Sequence, residues 1–578
     1  MTRTSIWVGA AAALLLAPGL GSADTVTVQV DGVDGALKKN VLAFLAIAQY
    51  ADRESVNPVV IRRLHRDARQ QAADALQPFG YYEAEVSASL KNTDGAWVAS
   101  YTVTPGEPVT VALRDIQLTG AGATLEAFSR HVSKGRLQAG SRLLHQDYDG
   151  IKNGLRGTAS RLGFFDAKFT EAAMRVRVDE READVTVHFD TGQRYRFGDI
   201  RVDQDTIDDK LMRRFITIAS GEPYDAEKLL DIQYALLDSN YFSYVSVSAP
   251  QREARNGVVP VVIVGEPGNR QRYSVGVGYG TDTGIRGSLG WHHRRLNGAG
   301  HRLRITTRLS AIRQDLTADY VIPQRLPATD RLTFRGGLFE QELGDTDSSR
   351  IELSVNQTST RRRLQISRYV RLLNEETVTG DSSLDSRLVL PGVSVSRSRS
   401  DSAIFPTRGS RYFADLRGSH KTLGSDSNFL RLKLEARFIR RISDSARVLA
   451  RADAGVATVD DSTTLPGSQR FFAGGDLSVR GYGFQELGTV DEDGAVIGGT
   501  TLLTGSLELE YLPFGDWGFA VFVDTGNATD NFGDSLEYAA GIGVRWRSPV
   551  GIVRFDVAQS LSESDRSPTL HFGIGPDL

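Results

Sequence analysis

Leu430-Arg431-Leu432-Lys433-Leu434-Glu435-Ala436-Arg437-Phe438 alternates apolar and charged side chains without a break. In an extended strand successive side chains point to opposite faces, so this stretch has one apolar face and one charged face. The same period of two returns upstream, where Leu303, Ile305 and Leu309 oppose Arg302, Arg304 and Arg308. It returns downstream, where Leu507, Leu509 and Tyr511 alternate with Ser506, Glu508 and Glu510. A soluble sandwich would also alternate, but with its apolar faces packed together inside. Here strand after strand keeps a charged face through the whole second half, more than one sandwich needs. A barrel with lipid outside and water inside satisfies both faces and leaves no edge.

Working outward from that stretch, sixteen strands are predicted. They begin near Gln271, Gly284, His301, Gln314, Arg331, Arg350, Arg361, Arg387, Gly409, Asp426, Ser445, Thr500, Trp517, Leu536, Gly551 and Pro568. An even count returns the chain to the side on which it entered. Odd-to-even connections are then external and expected to be the longer ones. Even-to-odd connections are expected to be tight, as at Phe514-Gly515-Asp516 and Ser548-Pro549-Val550-Gly551. The longest connection, about 460–499, is the sixth external one.

The chain divides near residue 268, and the first half mixes helical and strand patterns. One element recurs there: Gly80-Tyr81-Tyr82, Gly163-Phe164-Phe165 and Asn240-Tyr241-Phe242 each follow a helix-like segment and precede a strand-like one. Gly or Asn at that point fits a left-handed helix cap, with the aromatics anchoring the next strand. Three small β-α-α-β-β modules are expected, at 24–106, 107–192 and 193–267, before a barrel over 268–578. The shared element resembles POTRA domains.

Residues 1–23 read as a secretory signal: Arg3 supplies the positive region, Trp7 to Leu20 the apolar stretch, and Gly21-Ser22-Ala23 the cleavage site. Net charge is −3, which supplies no basic field for nucleic acid. The chain has no cysteine, so disulfides, thiolate zinc sites and thiol nucleophiles are excluded. It carries no Gly-x-Ser-x-Gly elbow, His-Glu-x-x-His or P-loop, so neither an enzyme nor a cofactor or metal requirement is expected. His292-His293-Arg294-Arg295 is expected in a solvated turn.

The sixth external connection holds Gly474-Gly475-Asp476-Leu477-Ser478-Val479-Arg480-Gly481-Tyr482. An arginine there is cheap in water, but inside a barrel it needs a carboxylate. Alternation in Val553-Arg554-Phe555-Asp556-Val557 turns Asp556 to the lumen, and Glu508 and Glu510 are further candidates. Gly474, Gly475 and Gly481 permit tight backbone against the wall. Glycine is dense in the first two strands, including Gly276 and Gly278, and the last strand, Leu570-His571-Phe572-Gly573-Ile574, is short. A thin seam between first and last strands is therefore expected, at Gly276, Gly278, Phe572 and Gly573.

Three POTRA-like modules, a sixteen-stranded barrel and Val479-Arg480-Gly481-Tyr482 in the sixth external connection resemble the TamA branch of the BamA superfamily of outer-membrane insertases. Phe522-Val523-Asp524-Thr525-Gly526 resembles the superfamily's Phe-x-Asp-x-Gly strand motif. Pro406-Thr407-Arg408-Gly409 resembles its periplasmic turn, and Gly573-Ile574-Gly575-Pro576-Asp577-Leu578 is similar to TamA C-termini. The resemblance implies that Arg480 pairs with Asp524. It implies an outer-membrane barrel of a Gram-negative bacterium with periplasmic POTRA domains, serving autotransporter assembly and secretion through a laterally opening seam. Implied partners are a TamB-like inner-membrane-anchored protein on the POTRA domains, outer-membrane client proteins and membrane lipid, with no nucleic acid. A two-partner-secretion pore for a secreted β-helical protein is the alternative, though that class usually carries two POTRA domains. A passive porin would not need the modules at all.

Overall fold

The computed structural model describes residues 25–51, 53, 56–133, 137–531, 533–549 and 551–575. The expected signal segment, Val550 of one predicted turn, and the chain end from Pro576 lie outside these residues.

Each repeat of the first half folds as β-α-α-β-β. The first comprises β1 (Thr25–Asp31), α1 (Gly35–Phe44), α2 (Pro58–Asp74), β2 (Glu85–Thr93) and β3 (Ala96–Thr104). The second comprises β4 (Thr110–Thr119), α3 (Glu126–Ser133), α4 (His145–Leu162), β5 (Lys168–Arg177) and β6 (Glu182–Asp190). The third comprises β7 (Arg196–Asp203), α5 (Asp209–Phe215), α6 (Ala226–Asp238), β8 (Phe242–Ser248) and β9 (Val258–Pro267). In every sheet the last strand is central, in the orders β1-β3-β2, β4-β6-β5 and β7-β9-β8. The central strands are where the apolar residues concentrate. Ala99, Tyr101 and Val103 of β3, and Ala183, Val185, Val187 and Phe189 of β6, are buried under the helices. Helix α2 starts where Asn57 accepts the Val59 N–H at 2.8 Å and Pro58 fills the first helical position. Its Ile61, Ala68 and Ala72 then face the sheet.

The recurring turn residues adopt the left-handed conformation, with φ of +87° at Gly80, +81° at Gly163 and +58° at Asn240. The aromatics behind them reach further than an anchor for the next strand. Tyr82 bonds His145 of the second module at 2.6 Å. Phe165 packs on Tyr195 and Tyr224 of the third. Tyr241 donates to the Gly300 carbonyl at 2.6 Å, beside the barrel strand that begins at Arg302. Each pair thus joins its module to the element that follows.

The chain forms two compact units. One holds residues up to Ile200 with Ile218–Glu227 and Ala249–Val261. The other holds Arg201–Thr217, Lys228–Ser248 and Val262–Leu578, which includes the whole barrel.

Within the second unit the barrel strands are β10 (Gln271–Gly280), β11 (Gly284–His293), β12 (Arg302–Leu309), β13 (Arg313–Pro323), β14 (Asp330–Leu343), β15 (Thr346–Arg361), β16 (Leu364–Thr379) and β17 (Ser382–Ser400). They continue as β18 (Arg408–Ser419), β19 (Phe429–Arg441), β20 (Ala446–Val459), β21 (Thr501–Phe514), β22 (Trp517–Thr529), β23 (Glu537–Ser548), β24 (Gly551–Ser560) and β25 (Thr569–Gly575). All sixteen lie in sequence order in one sheet, as the alternation predicts. The two faces also separate as expected: Leu430, Leu434 and Phe438 are exposed on the exterior, while Arg431 is buried.

The expectation of long external connections is corrected for part of the barrel. The external turns between β14 and β15 and between β16 and β17 are only residues 344–345 and 380–381. The reason is strand length. Strands β15, β16 and β17 run for 16, 16 and 19 residues, beyond the roughly 9–11 that cross a bilayer, so the hairpins project past it and reverse tightly. The connections after β18, β22 and β24, at residues 420–428, 530–536 and 561–568, are longer, and the one after β20 is by far the longest. His292-His293-Arg294-Arg295 is not a solvated turn either: the Arg295 guanidinium donates to the Thr206 carbonyl.

Candidate functional site

The connection between β20 and β21 re-enters the barrel, because its polar groups find their partners on lumen-facing side chains. Gly474, Gly475 and Gly481 have φ of +99°, +97° and +94°, which only glycine adopts readily. Space as well as conformation demands glycine at all three, most tightly at Gly474, where a Cβ would collide with the Gly483 carbonyl oxygen. A Cβ on Gly475 would lie 2.7 Å from the Asp282 carboxylate, and one on Gly481 would lie 3.1 Å from the Ala539 side chain.

Arg480 sits at the centre and is 2% exposed. Its Nε donates to Asp524 Oδ2 at 2.7 Å and a terminal nitrogen donates to Oδ1 at 3.0 Å, a two-pronged pairing that fixes the guanidinium plane. The other terminal nitrogen donates to Glu508 at 2.7 Å and to Asp556 at 3.0 Å. The main-chain N–H of Arg480 also donates to Asp524, at 3.1 Å. The guanidinium lies 3.3 Å from the centroid of the Phe522 ring. The carboxylates therefore act together, and none is an exclusive partner.

Three carboxylates around one arginine would leave excess negative charge in the wall. Arg545 meets it, donating to Glu508 at 2.6 Å, Glu510 at 2.9 Å and Asp556 at 2.5 Å, and Arg447 pairs with Glu510 at 2.5 Å. Room for this packing comes from Gly541 and Gly543 on β23, where a Cβ would collide with the Phe522 ring and the Asp556 carboxylate respectively.

The flanking loop residues are held as well. Val479 is buried against Ala539. Tyr482 donates to Glu537 at 2.7 Å and bonds Ser560 at 2.8 Å. Asp476 binds both ends of the sheet: it accepts from Thr281, just past β10, at 2.8 Å, and pairs with His571 of β25 at 2.7 Å. His571 Nε2 accepts the Gly481 N–H at 3.0 Å, so its neutral ring carries the proton on Nδ1 and donates it to Asp476. The Asp476 N–H donates to Asp282 at 2.8 Å. Asp282, Asp476 and His571 bring potential metal-ligand atoms within 4.8 Å, but these bonds already occupy them. A second attachment lies earlier in the loop. Glu375 accepts the Ser468 N–H at 3.0 Å, and Arg431 donates to the Gln469 carbonyl at 2.9 Å while its guanidinium sits 4.0 Å from the Phe471 ring centroid.

The two ends of the sheet share no ladder among the described residues. The Thr281 N–H donates to the Phe572 carbonyl at 3.2 Å, the Phe572 N–H donates to the Thr281 hydroxyl at 3.0 Å, and Phe572 packs on Tyr279. The expected seam residues lie on these two terminal strands. Gly276 and Gly278 lie on β10, but their near neighbours are Ser288 and Arg286 of β11, and Gly573 faces open space. Period-two alternation turned Gly276 and Gly278 into the barrel, whereas contact across the seam falls at Thr281 and Phe572.

A family model described as the Omp85 superfamily domain matches residues 268–577. This chain belongs to the Omp85 superfamily. A model for POTRA domain TamA domain 1 matches residues 27–105, and a POTRA model described as surface antigen variable number repeat matches 195–268. Among curated proteins, outer membrane protein assembly factor BamA of Nitratidesulfovibrio vulgaris is 26% identical over 384 residues, 61% of this chain and 47% of that protein. BamA of Neorickettsia risticii is 24% identical over 428 residues, 68% of this chain and 56% of that protein. The chain spans about half the length of these relatives. The crystal structure of BamA from Haemophilus ducreyi lacking POTRA domains 1–3 aligns with a TM-score of 0.65 at 16% identity, covering 80% of this chain and 99% of that one. That likeness establishes the shared fold. This Omp85-superfamily member is an outer-membrane barrel whose POTRA domains face the periplasm.

Sequence reasoning missed Arg545, Arg447, Phe522 as a stacking surface, and His571. Alternation along Ala539, Gly541, Gly543 and Arg545 places Arg545 inward, and the small residues before it mark crowding. His571 offered no local signal, because its partners lie far away in sequence.

Proposed function

We propose that this chain is a TamA-type assembly factor that inserts outer-membrane proteins, autotransporters among them, without catalysing any bond-making step. The observation that carries this reading is the seam, where Thr281 and Phe572 replace a full ladder and loop residue Asp476 bonds both Thr281 and His571. A wall closed by so few bonds opens at small cost, since each main-chain bond contributes about 0.5–1.5 kcal/mol net. An opened β10 would then offer its free edge to a client strand. Arg480 acts as the latch that holds the loop, and Asp476 with it, against both seam strands. The match of the first module to the TamA-specific POTRA model supports a TamB-like, inner-membrane-anchored partner on the POTRA domains. The outer strands of those sheets provide edges for extended segments of partner or client.

The test joins the seam covalently. Cysteines replacing Thr281 and Phe572 are oxidised in proteoliposomes that are then given an autotransporter client. Insertion is expected to stop on oxidation and to return on reduction. Undiminished insertion by the fully cross-linked protein would refute lateral opening.

A further inference from the structure

The outward face of β17, β18 and β19 carries arginines that the lumenal machinery does not use. Register fixes their direction. Arg397 pairs with Tyr412 and Arg399 with Ser410, while Arg408 pairs with Arg440. Tyr412 is exposed and shares its face of β18 with Arg408, and exposed Phe438 shares its face of β19 with Arg440. All four arginines are therefore on the exterior, and all are exposed. They lie at the strand ends joined by residues 401–407 and 442–445, the even-to-odd connections and hence the periplasmic rim.

Among the described residues nothing neutralises them. None of the four guanidinium groups makes a hydrogen bond or ion pair among the described residues. The adjacent carboxylate, Asp401, is occupied by the Thr407 hydroxyl at 2.6 Å and by the main-chain N–H groups of Thr407 and Arg408 at 2.9 and 3.1 Å. Arg408 and Arg440 stand directly opposite each other, an arrangement that destabilises a strand pair unless an anion lies between them. At the external end, the neighbouring outward positions Glu376 and Asp385 instead oppose one another. The acidic pair at that end stands beside outward Arg387 of β17, whereas the four arginines at the periplasmic end gather without such a partner among the described residues.

Position and geometry identify the anion. Tyr412 and Phe438, 50% and 42% exposed, share the patch and mark the depth of the bilayer interface. Strands about 4.8 Å apart, with residues about 6.6 Å apart at i and i+2, gather the four arginines into one patch about 16 Å across at its widest. Planar guanidinium groups bind phosphate oxygens in pairs.

We propose that Arg397, Arg399, Arg408 and Arg440 bind the phosphate groups of anionic phospholipids in the periplasm-facing leaflet. The site lies half-way round the sheet from the seam, so lipid held there anchors the wall that does not open.

The test uses the full chain in bilayers of phosphatidylcholine and phosphatidylglycerol in equal parts, followed by gentle extraction and native mass spectrometry of retained lipid. The wild type is expected to retain phosphatidylglycerol over phosphatidylcholine by roughly tenfold, about 1.4 kcal/mol. R397Q/R399Q/R408Q/R440Q is expected to fall within about twofold of no preference, while the lysine counterparts keep only part of it, since the charge remains but the paired guanidinium bonds are lost. R63Q/R66Q/R69Q, which removes three exposed arginines from α2, serves as the control for charge loss elsewhere and is expected to behave as wild type. Heat-modifiable gel mobility reports barrel folding, and R397Q/R399Q is read instead should the quadruple variant not fold. A folded glutamine variant that keeps the full preference would overturn the proposal, as would its loss in the α2 control. Excess inorganic phosphate is expected to leave the preference intact; its abolition would mean that the arginines read free phosphate and not lipid, which would also overturn it.

Discussion

Removing the Arg480 side chain should release the loop, and the structure sets the size of the effect. Arg480→Ala deletes five side-chain hydrogen bonds: two to Asp524 and one each to Glu508, Asp556 and Ser506. Their strengths do not add, since the same carboxylates also answer to Arg545. The better guide is the cost of orphaning a buried charge, about 3–5 kcal/mol. Asp524 is the group orphaned, because it is 2% exposed and Arg480 is its only ion-pair partner among the described residues. Asp524→Ala should cost less, about 2–3 kcal/mol, because Arg480 retains Glu508 and Asp556. The double variant leaves neither charge orphaned by the other, so the two changes should couple by about 1–3 kcal/mol. Local opening can be read by hydrogen exchange at the amides of Arg480 and Gly481, which donate to Asp524 and His571. At about 1.4 kcal/mol per decade, Arg480→Ala is expected to speed exchange by about a thousandfold. The measurement is made on the full chain in a bilayer with the barrel shown to be folded. Acceleration under about tenfold, together with coupling under about 0.5 kcal/mol, would show that Arg480 does not hold the loop.

Tyr482→Phe removes one hydroxyl bonded to Glu537 and Ser560, so exchange around the loop tip should rise by about tenfold while the Arg480 cluster stays protected. Gly543→Ala drives a methyl group into the Asp556 carboxylate, and a loss of about 1–3 kcal/mol in urea unfolding of the barrel is expected; an unchanged midpoint would refute the crowding argument. Burial holds His145, which bonds Tyr82 across the first two modules, below its ordinary pKa of 6.5. The joined modules therefore bind fewer protons than separated ones, so their contact should be firm above pH 6.5 and weaken as pH falls below it. Spin-label distances across the pair, measured from pH 8 to about pH 5, should lengthen, and Tyr82→Phe should shift that response.

The barrel was legible because its period of two is imposed on every strand by the same two solvents, lipid outside and water inside. Leu430 to Phe438 already contains that boundary condition, so counting such stretches reached sixteen strands in order. The β-α-α-β-β modules were legible for a similar local reason: a left-handed cap at Gly80, Gly163 and Asn240 ends a helix whatever lies around it. The long external connection after β20 could also be read, together with the glycines that let it bend. What could not be read was the length of the other external turns, since nothing local says how far a hairpin outruns the bilayer.

By itself, then, the sequence determined which side chains face inward and which loop carries an arginine that cannot stay unpaired. How its charge is shared depends on the folded barrel. Asp524, Asp556 and Glu508 come from three different strands, and Arg545 from a fourth; shear and closure of the sheet bring them to one level of the lumen. The same holds for the seam. Thr281 and Phe572 are 291 positions apart, and their contact exists because the curvature of fourteen intervening strands returns the last to the first. Alternation is a property of neighbours along the chain, whereas register around a closed sheet is a property of the whole barrel.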